Sequence, residues 1–348
     1  MRGLILLAFF TLPFWHHHQS RAEANLQSFS EAPDDLVLHF DHFPGIYMLN
    51  PETHPASIPL EGAPNFRVEQ GGKIFGTGLP EKTAIRDVIR STRTSPHEKI
   101  VWLNMRGEPV LYLDGIPYTI RSRADPFKNL MLNGITPEAI ETLESRLAEH
   151  LKHTLKKTGA IQALNESKTG ETFSTRIKPV QIETTREALI HEASREGEIE
   201  YFRIPMLDEA APHPSSIDGV ISSFKKAHLL DHPEQLKFIV NCHMGRGRTT
   251  FAQTMLYRML GHSHEEAMNA ASQIFHLRDV VQKPKYSAMK IPYQARYEMF
   301  EHFSHYLDQK IDEPFSEWFK RTSKLDSKDF HFCDRELHSV LHRIGGSF

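Results

Sequence analysis

The chain has 348 residues, 24% of them charged and 39% hydrophobic, with a formal charge of −3 when histidine is neutral. That composition is globular and long enough for one large or two modest domains, and the mild negative balance excludes a general affinity of the whole molecule for nucleic acid or an anionic membrane surface. Two cysteines, Cys242 and Cys333, are too few for a disulfide scaffold. Met1 and Arg2 precede an apolar run from Gly3 to Trp15 that is too short to span a bilayer, and Ala22-Glu23-Ala24 offers small residues at cleavage positions. Residues 1–24 are therefore expected to be a secretory signal peptide, leaving an exported protein, periplasmic or secreted, with no stable membrane insertion after removal. A membrane anchor or a short core helix is the alternative for this run. Cleavage would take away Arg2, Arg21 and Glu23, so the formal charge of −3 becomes −4.

Residues 25–64, rich in Pro, Asp and His, read as a wrapping arm. From Phe66 to about Ile120, short strand-like runs such as Lys99–Leu103 and Val110–Leu113 dominate, the second bounded by an Asp114-Gly115 turn. Helical spacing follows over Pro137–Leu155 and Arg186–Glu196, with a polar, β-branched stretch from Ala160 to Thr185 between them. A small inserted β-rich subdomain around 100–185 is the expectation. From Ile199 onward the order is strand, loop, helix, strand, loop, helix, then further helices to Phe348. That alternation predicts an α/β fold with a central, largely parallel sheet flanked by helices. No internal repeat is present.

The richest chemistry lies in Asn241-Cys242-His243-Met244-Gly245-Arg246-Gly247-Arg248-Thr249. Lys237–Val240 reads as a buried strand and Thr250–Leu260 as a helix, so the nine residues form a tight connection between the two. Gly245 and Gly247 let that connection curl with its N–H groups turned inward beside the positive end of the helix dipole, a cradle for phosphate. The same field favours the thiolate form of Cys242, and the planar fork of Arg248 suits two phosphate oxygens. A buried cysteine packing as a small hydrophobe is the plainer alternative. It leaves unexplained an arginine placed against the helix dipole.

Cys242–Thr249 resembles the signature loop of the protein tyrosine phosphatase (PTP) superfamily. The two glycines resemble its inositol-directed branch, where the variable positions often carry cations, here His243 and Arg246. Tyr201–Pro205 with Asp208–Asp218 resembles the general-acid loop of the bacterial PTP-like phytases. Val101–Pro109 and Tyr112–Gly115 resemble a segment shared with paladin-type proteins, and Asn65-Phe66-Arg67, Gly76-Thr77-Gly78 and Pro314–Trp318 fit as well. The patches run from about 65 to 320, which would be one PTP-like phosphatase domain, with 321–348 as a C-terminal tail. Asn241 stands where the superfamily usually has His before the nucleophile, and Glu209 stands where the phytases often have His after the acid.

The resemblance implies that Cys242 attacks phosphorus to give a phosphocysteine, that the loop amides and Arg248 stabilise the equatorial oxygens, that Asp208 protonates the leaving oxygen, and that Thr249 assists the sulfur as it leaves. It implies substrate contacts from His243, Met244, Gly245, Arg246, Gly247 and Arg67, and from Lys290 and Arg296 in a basic cluster with Arg278, Lys283 and Lys285; a solvated basic face is the alternative for that cluster. The chemistry requires no metal and no cofactor. His331-Phe332-Cys333-Asp334 has no second ligand cluster at metal spacing. The expected activity is hydrolysis of inositol polyphosphates, a small-molecule substrate, with a protein-tyrosine or phosphoinositide phosphatase and a catalytically silent phosphate-binding module as the competing readings. Oligomeric state is not legible in the sequence.

Overall fold

A computed structural model describes residues 36–42, 56–69, 71–122, 125–130, 132, 134–167, 171–208, 210–229, 233–274 and 290–323. The expected signal peptide, the Cys333 region and all but the first residues of the expected tail lie outside them.

Twelve strands and eight α-helices are described, as two sheets with helices around them. In chain order they are β1 (Leu36–Phe40), β2 (Arg67–Val68), β3 (Ile74–Gly78), α1 (Lys82–Thr92), β4 (Lys99–Arg106), β5 (Val110–Leu113), β6 (Ile116–Ser122), β7 (Asp125–Asn129), α2 (Pro137–Thr158), β8 (Ile161–Glu166), β9 (Thr172–Ile177), β10 (Ile182–Thr184), α3 (Thr185–Ala193), β11 (Ile199–Met206), α4 (Pro214–His228), β12 (Leu236–Cys242), α5 (Gly247–Met259), α6 (His264–Ile274), α7 (Lys290–Asp308) and α8 (Phe315–Thr322).

The first sheet has the order β11-β4-β12-β3-β2. Its first four strands are parallel and the two-residue β2 edge is antiparallel, as the alternation of elements predicts. Successive side chains of β4 and β12 point to opposite faces. Val101, Leu103, Phe238 and Val240 pack with Phe251 and Met255 of α5, Phe300 and Phe303 of α7 and Trp318 of α8. Ile100, Trp102 and Ile239 pack with Ile85, Val88 and Ile89 of α1 and Leu189 of α3. Both faces are thus covered, which is why these strands read as continuous apolar runs rather than alternating ones.

The second sheet joins β10-β5-β6-β1-β8-β9, with β7 on β6, and holds a separate core in which Leu111, Ile120 and Ile161 meet Leu143 and Leu147 of α2. Thr136 caps α2 by accepting from the Ala139 N–H at 3.2 Å, Pro137 opens it, and Gly159 ends it in a left-handed conformation at φ 68°. Two expectations shift. β4 opens the stretch 100–185 yet is a central strand of the parallel sheet, so the second sheet takes up from Val110. β1, within the presumed arm, lies between β6 and β8 as a member of that sheet. The sheets are tied by a buried ion pair, Arg203 of β11 with Glu144 of α2 at 3.0 Å, whose carboxylate also accepts from the Val110 N–H at 2.9 Å.

Candidate active site

β3, β4, β11 and β12 present their C-terminal ends on one edge of the parallel sheet, where α/β folds place ligands. Cys242 ends β12 opposite Gly78, Arg106 ends β4 opposite Met206 of β11, and the chain then supplies Glu108 and Asp208 just beyond those ends. The signature loop starts at Cys242 and runs straight into α5, so the helix N-terminus faces the same place.

The loop is fixed from behind by its carbonyls. The Leu79 N–H donates to His243 O at 3.0 Å, Asn65 Nδ2 donates to Met244 O at 2.8 Å, and Arg67 Nη1 donates to Gly245 O. Because a trans peptide sets C=O and the following N–H in opposite directions, these three bonds turn the amides of Met244, Gly245 and Arg246 away from the clamp and inward. Gly245 has φ 71°, and a β-carbon there would overlap the backbone of Thr77 and Gly78, with Thr77 O at 2.8 Å. Only glycine meets both demands.

Arg248 is fully buried and its donors converge with two carboxylates. Nη1 donates to Glu108 Oε2 at 2.6 Å and to Met206 O at 3.1 Å, Nη2 donates to Glu108 Oε1 at 2.9 Å, and Nη2 lies 3.2 Å from Asp208 Oδ2. Its Nε is buried with no hydrogen-bond partner among the described residues. Glu108 is paired in turn with Arg106 at 2.5 Å, and Arg106 with Asp41 of the β1 end at 2.8 Å. Burial favours a neutral Glu108, but Arg106 and Arg248 hold it ionised, well below the usual carboxylate range. For Asp208 burial pushes upward most strongly, but Arg248, with Arg296 and His243, together outweigh it, so the carboxyl sits below its ordinary value. Asp208 Oδ2 also accepts from Asn129 Nδ2 at 2.8 Å, and the Asp208 side chain remains 29% exposed. Thus β7 of the second sheet orients the candidate acid.

The other expected residues divide. Gly247 opens α5, Met244 and Arg246 are partly exposed, and Thr249 is buried with its hydroxyl 3.4 Å from Thr77 O, which accepts from it. His243 departs from its expected role as a cation. It is 6% exposed with Nε2 3.6 Å from Asp41 Oδ1, and burial, joined by the charges of Arg106 and Arg121, lowers it to about 4 despite Asp41. It is neutral at pH 7. Arg67 is fully buried and acts on the loop backbone: besides Gly245 O it donates to Asn65 O at 3.2 Å, Thr250 Oγ1 at 3.1 Å and Gln253 Oε1. Arg296 is 2% exposed and donates from Nε to Ala210 O at 2.7 Å. Lys290 opens α7, but its side chain, with Arg278, Lys283, Lys285 and Glu209, lies outside the described residues.

Asn241 replaces charge with a neutral relay. Trp102 Nε1 donates to its Oδ1 at 2.8 Å, its Nδ2 donates to Asn104 Oδ1 at 3.2 Å, and Asn104 Nδ2 donates to Tyr201 OH at 3.1 Å. Glu108, Arg106, Asp41 and Asn129 were not singled out as site residues in the sequence. Only Arg106 and Glu108 gave a signal, as part of the patch 101–109.

Fold and site together define an α/β protein with a cysteine, an arginine and an aspartate at the C-terminal edge of a parallel sheet. By structure the chain is similar to the PTP-like phytase of Bdellovibrio bacteriovorus (TM-score 0.54, 20% identity, 82% of this chain and 93% of that one) and to the PTP-like myo-inositol phosphatase of Mitsuokella multacida in complex with myo-inositol-(1,3,4,5)-tetrakisphosphate (TM-score 0.60, 17% identity, 84% of this chain and 50% of that one). The family model for PTP-like phytases, described as inositol hexakisphosphate, matches residues 103–260, just under half of the chain. Paladin of Gallus gallus is 30% identical over 200 residues, which are 57% of this chain and 22% of that protein. The resemblance to PTP-like phytases and paladin-type proteins holds over that span, and the chain covers about a fifth of the length of the paladin it matches.

Proposed function

We propose that this chain hydrolyses phosphate monoesters of inositol polyphosphates through a phosphocysteine intermediate. The observation that carries the reading is the Arg248 Nε, a buried donor without a partner beside a loop whose amides are turned inward by their clamped carbonyls. A buried unsatisfied donor costs about 1–3 kcal/mol, and a phosphate oxygen would satisfy it. In this scheme the Cys242 sulfur attacks phosphorus as the bond to the inositol oxygen breaks, and Asp208 gives that oxygen its proton. Water then displaces the sulfur, with Asp208 taking the water's proton. Arg248 and the loop amides hold the three equatorial oxygens throughout. The similarity to PTP-like phytases over 103–260 supports the inositol polyphosphate as substrate.

The test is phosphate release from inositol hexakisphosphate and from a phosphotyrosine peptide by the wild-type chain and by Cys242→Ser. The reading requires faster release from the inositol substrate and almost no turnover by the variant, with binding retained. Faster release from the peptide would make the protein a protein phosphatase on the same scaffold, and release from neither by the wild-type chain would make it a binding module.

A further inference from the structure

Asp208 is carried by a loop whose backbone is gripped from α7. Arg296 Nε donates to Ala210 O at 2.7 Å and Nη2 reaches Leu207 O at 3.5 Å, so one guanidinium holds the chain on both sides of the carboxylate residue. The same guanidinium packs flush on Gly247 at the start of α5, leaving no room for a β-carbon there beside Nη1. Arg296 thereby spans the acid loop and the signature loop. Its Nε and Nη2 are committed to these two carbonyls rather than turned to a ligand. A forked, planar donor set is what such a two-point grip needs, and an ammonium does not supply it.

The direct contact between Asp208 and Arg248 cannot be what keeps the acid in place during turnover. A phosphate bound by Arg248 competes for that guanidinium and repels the Asp208 carboxylate. The backbone grip by Arg296 does not depend on the charge of the site. We propose that Arg296 is a positioning residue for proton transfer, latching the Asp208 loop against Gly247, and that it does not bind a substrate phosphate. The proposal rests on Asp208 being the acid.

The experiment measures kcat and KM for inositol hexakisphosphate and for an activated aryl phosphate, across pH, in the wild-type chain, Arg296→Ala, Arg296→Lys, Asp208→Asn and the double variant Asp208→Asn/Arg296→Ala. The latch predicts that Arg296→Ala lowers kcat on the inositol substrate about ten- to a hundredfold with KM within about threefold, that the aryl phosphate loses far less, and that the alkaline fall of the pH profile flattens. Arg296→Lys keeps the charge without the fork and should show the same split, which covers the case in which the alanine variant fails to fold. In the Asp208→Asn background, Arg296→Ala should cost less than about threefold more, because there is no acid left to place. A rise in KM with kcat unchanged would make Arg296 a substrate ligand and overturn the latch. So would an equal loss with and without Asp208. Full turnover of the inositol substrate by Asp208→Asn alone would overturn the acid assignment and the latch with it, a result separable from the other two.

Discussion

Glu108 grips Arg248 through two parallel hydrogen bonds, at 2.6 and 2.9 Å, with both side chains all but inaccessible to solvent. The pair continues outward to Arg106 and Asp41, so buried charges alternate from the candidate site to the end of β1. Breaking one link leaves an uncompensated charge in the interior, which costs about 3–5 kcal/mol. Glu108→Gln keeps the volume and removes the charge. It should lower unfolding stability by about that amount in denaturant titration and depress kcat/KM in parallel for inositol hexakisphosphate and an aryl phosphate, since both need Arg248 in one plane. Loss confined to the inositol substrate would show that Glu108 reads the substrate instead.

In the proposed mechanism Asp208 has one task that depends on the leaving group. Replacing it with Asn should slow inositol hexakisphosphate about a hundred- to ten-thousandfold and an activated aryl phosphate much less. In the free protein its carboxyl lies below the usual range, burial being outweighed chiefly by Arg248. The protonated acid therefore becomes more abundant as pH falls, so wild-type kcat/KM should be highest on the acid side and its alkaline decline should flatten in Asp208→Asn. Equal losses on both substrates would point to a structural carboxylate.

Arg246 and His243 no longer count as equals in substrate recognition. His243 is buried and, held near 4, carries no charge at neutral pH, whereas Arg246 stands partly exposed at the start of α5. A charge-assisted contact there is worth about 1–3 kcal/mol net of screening, so Arg246→Ala should raise KM for inositol hexakisphosphate roughly five- to a hundredfold and leave a monophosphate aryl substrate nearly unchanged. His243→Gln should change that KM less than about threefold between pH 6 and 8. A large, pH-dependent effect of His243→Gln would restore it as a cation.

What the sequence made legible was local. The apolar strand, the paired glycines and the helix after them identify the signature loop because those signals sit within about twenty residues. Asn65 and Arg67 stood out as a patch, but their work is done on carbonyls 179 and 178 residues away, a relation no local pattern carries. The same holds for Glu108, which meets Arg248 across 140 residues, and for β1, whose place between β6 and β8 is set by pairing alone. Cations were over-counted because a sequence shows that a histidine or arginine is present, while burial decides whether it is charged or exposed.

Glu69 supplies a stability test remote from catalysis. It adjoins the Arg67 clamp at 6% exposure, its Oε1 has no hydrogen-bond partner among the described residues, and burial pushes its carboxyl from an ordinary 4.5 up to about 7, with Arg67 offsetting only part. Below 4.5 the carboxyl is protonated whether the chain is folded or not. Between 4.5 and 7 the folded protein holds a proton that the unfolded chain has released, so this group's contribution falls as pH rises through the window and is fully lost above it. At about 1.4 kcal/mol per unit, the loss is at most about 3.5 kcal/mol. Glu69→Gln stays neutral at every pH and should be more stable than wild type by about 1–3 kcal/mol at pH 8, with the difference shrinking to nothing near pH 4.5. Urea unfolding of both chains at pH 4.5, 6 and 8 measures this directly. A gap of the same size at all three values would mean that Glu69 titrates alike in the folded and unfolded chains, Arg67 offsetting its burial fully.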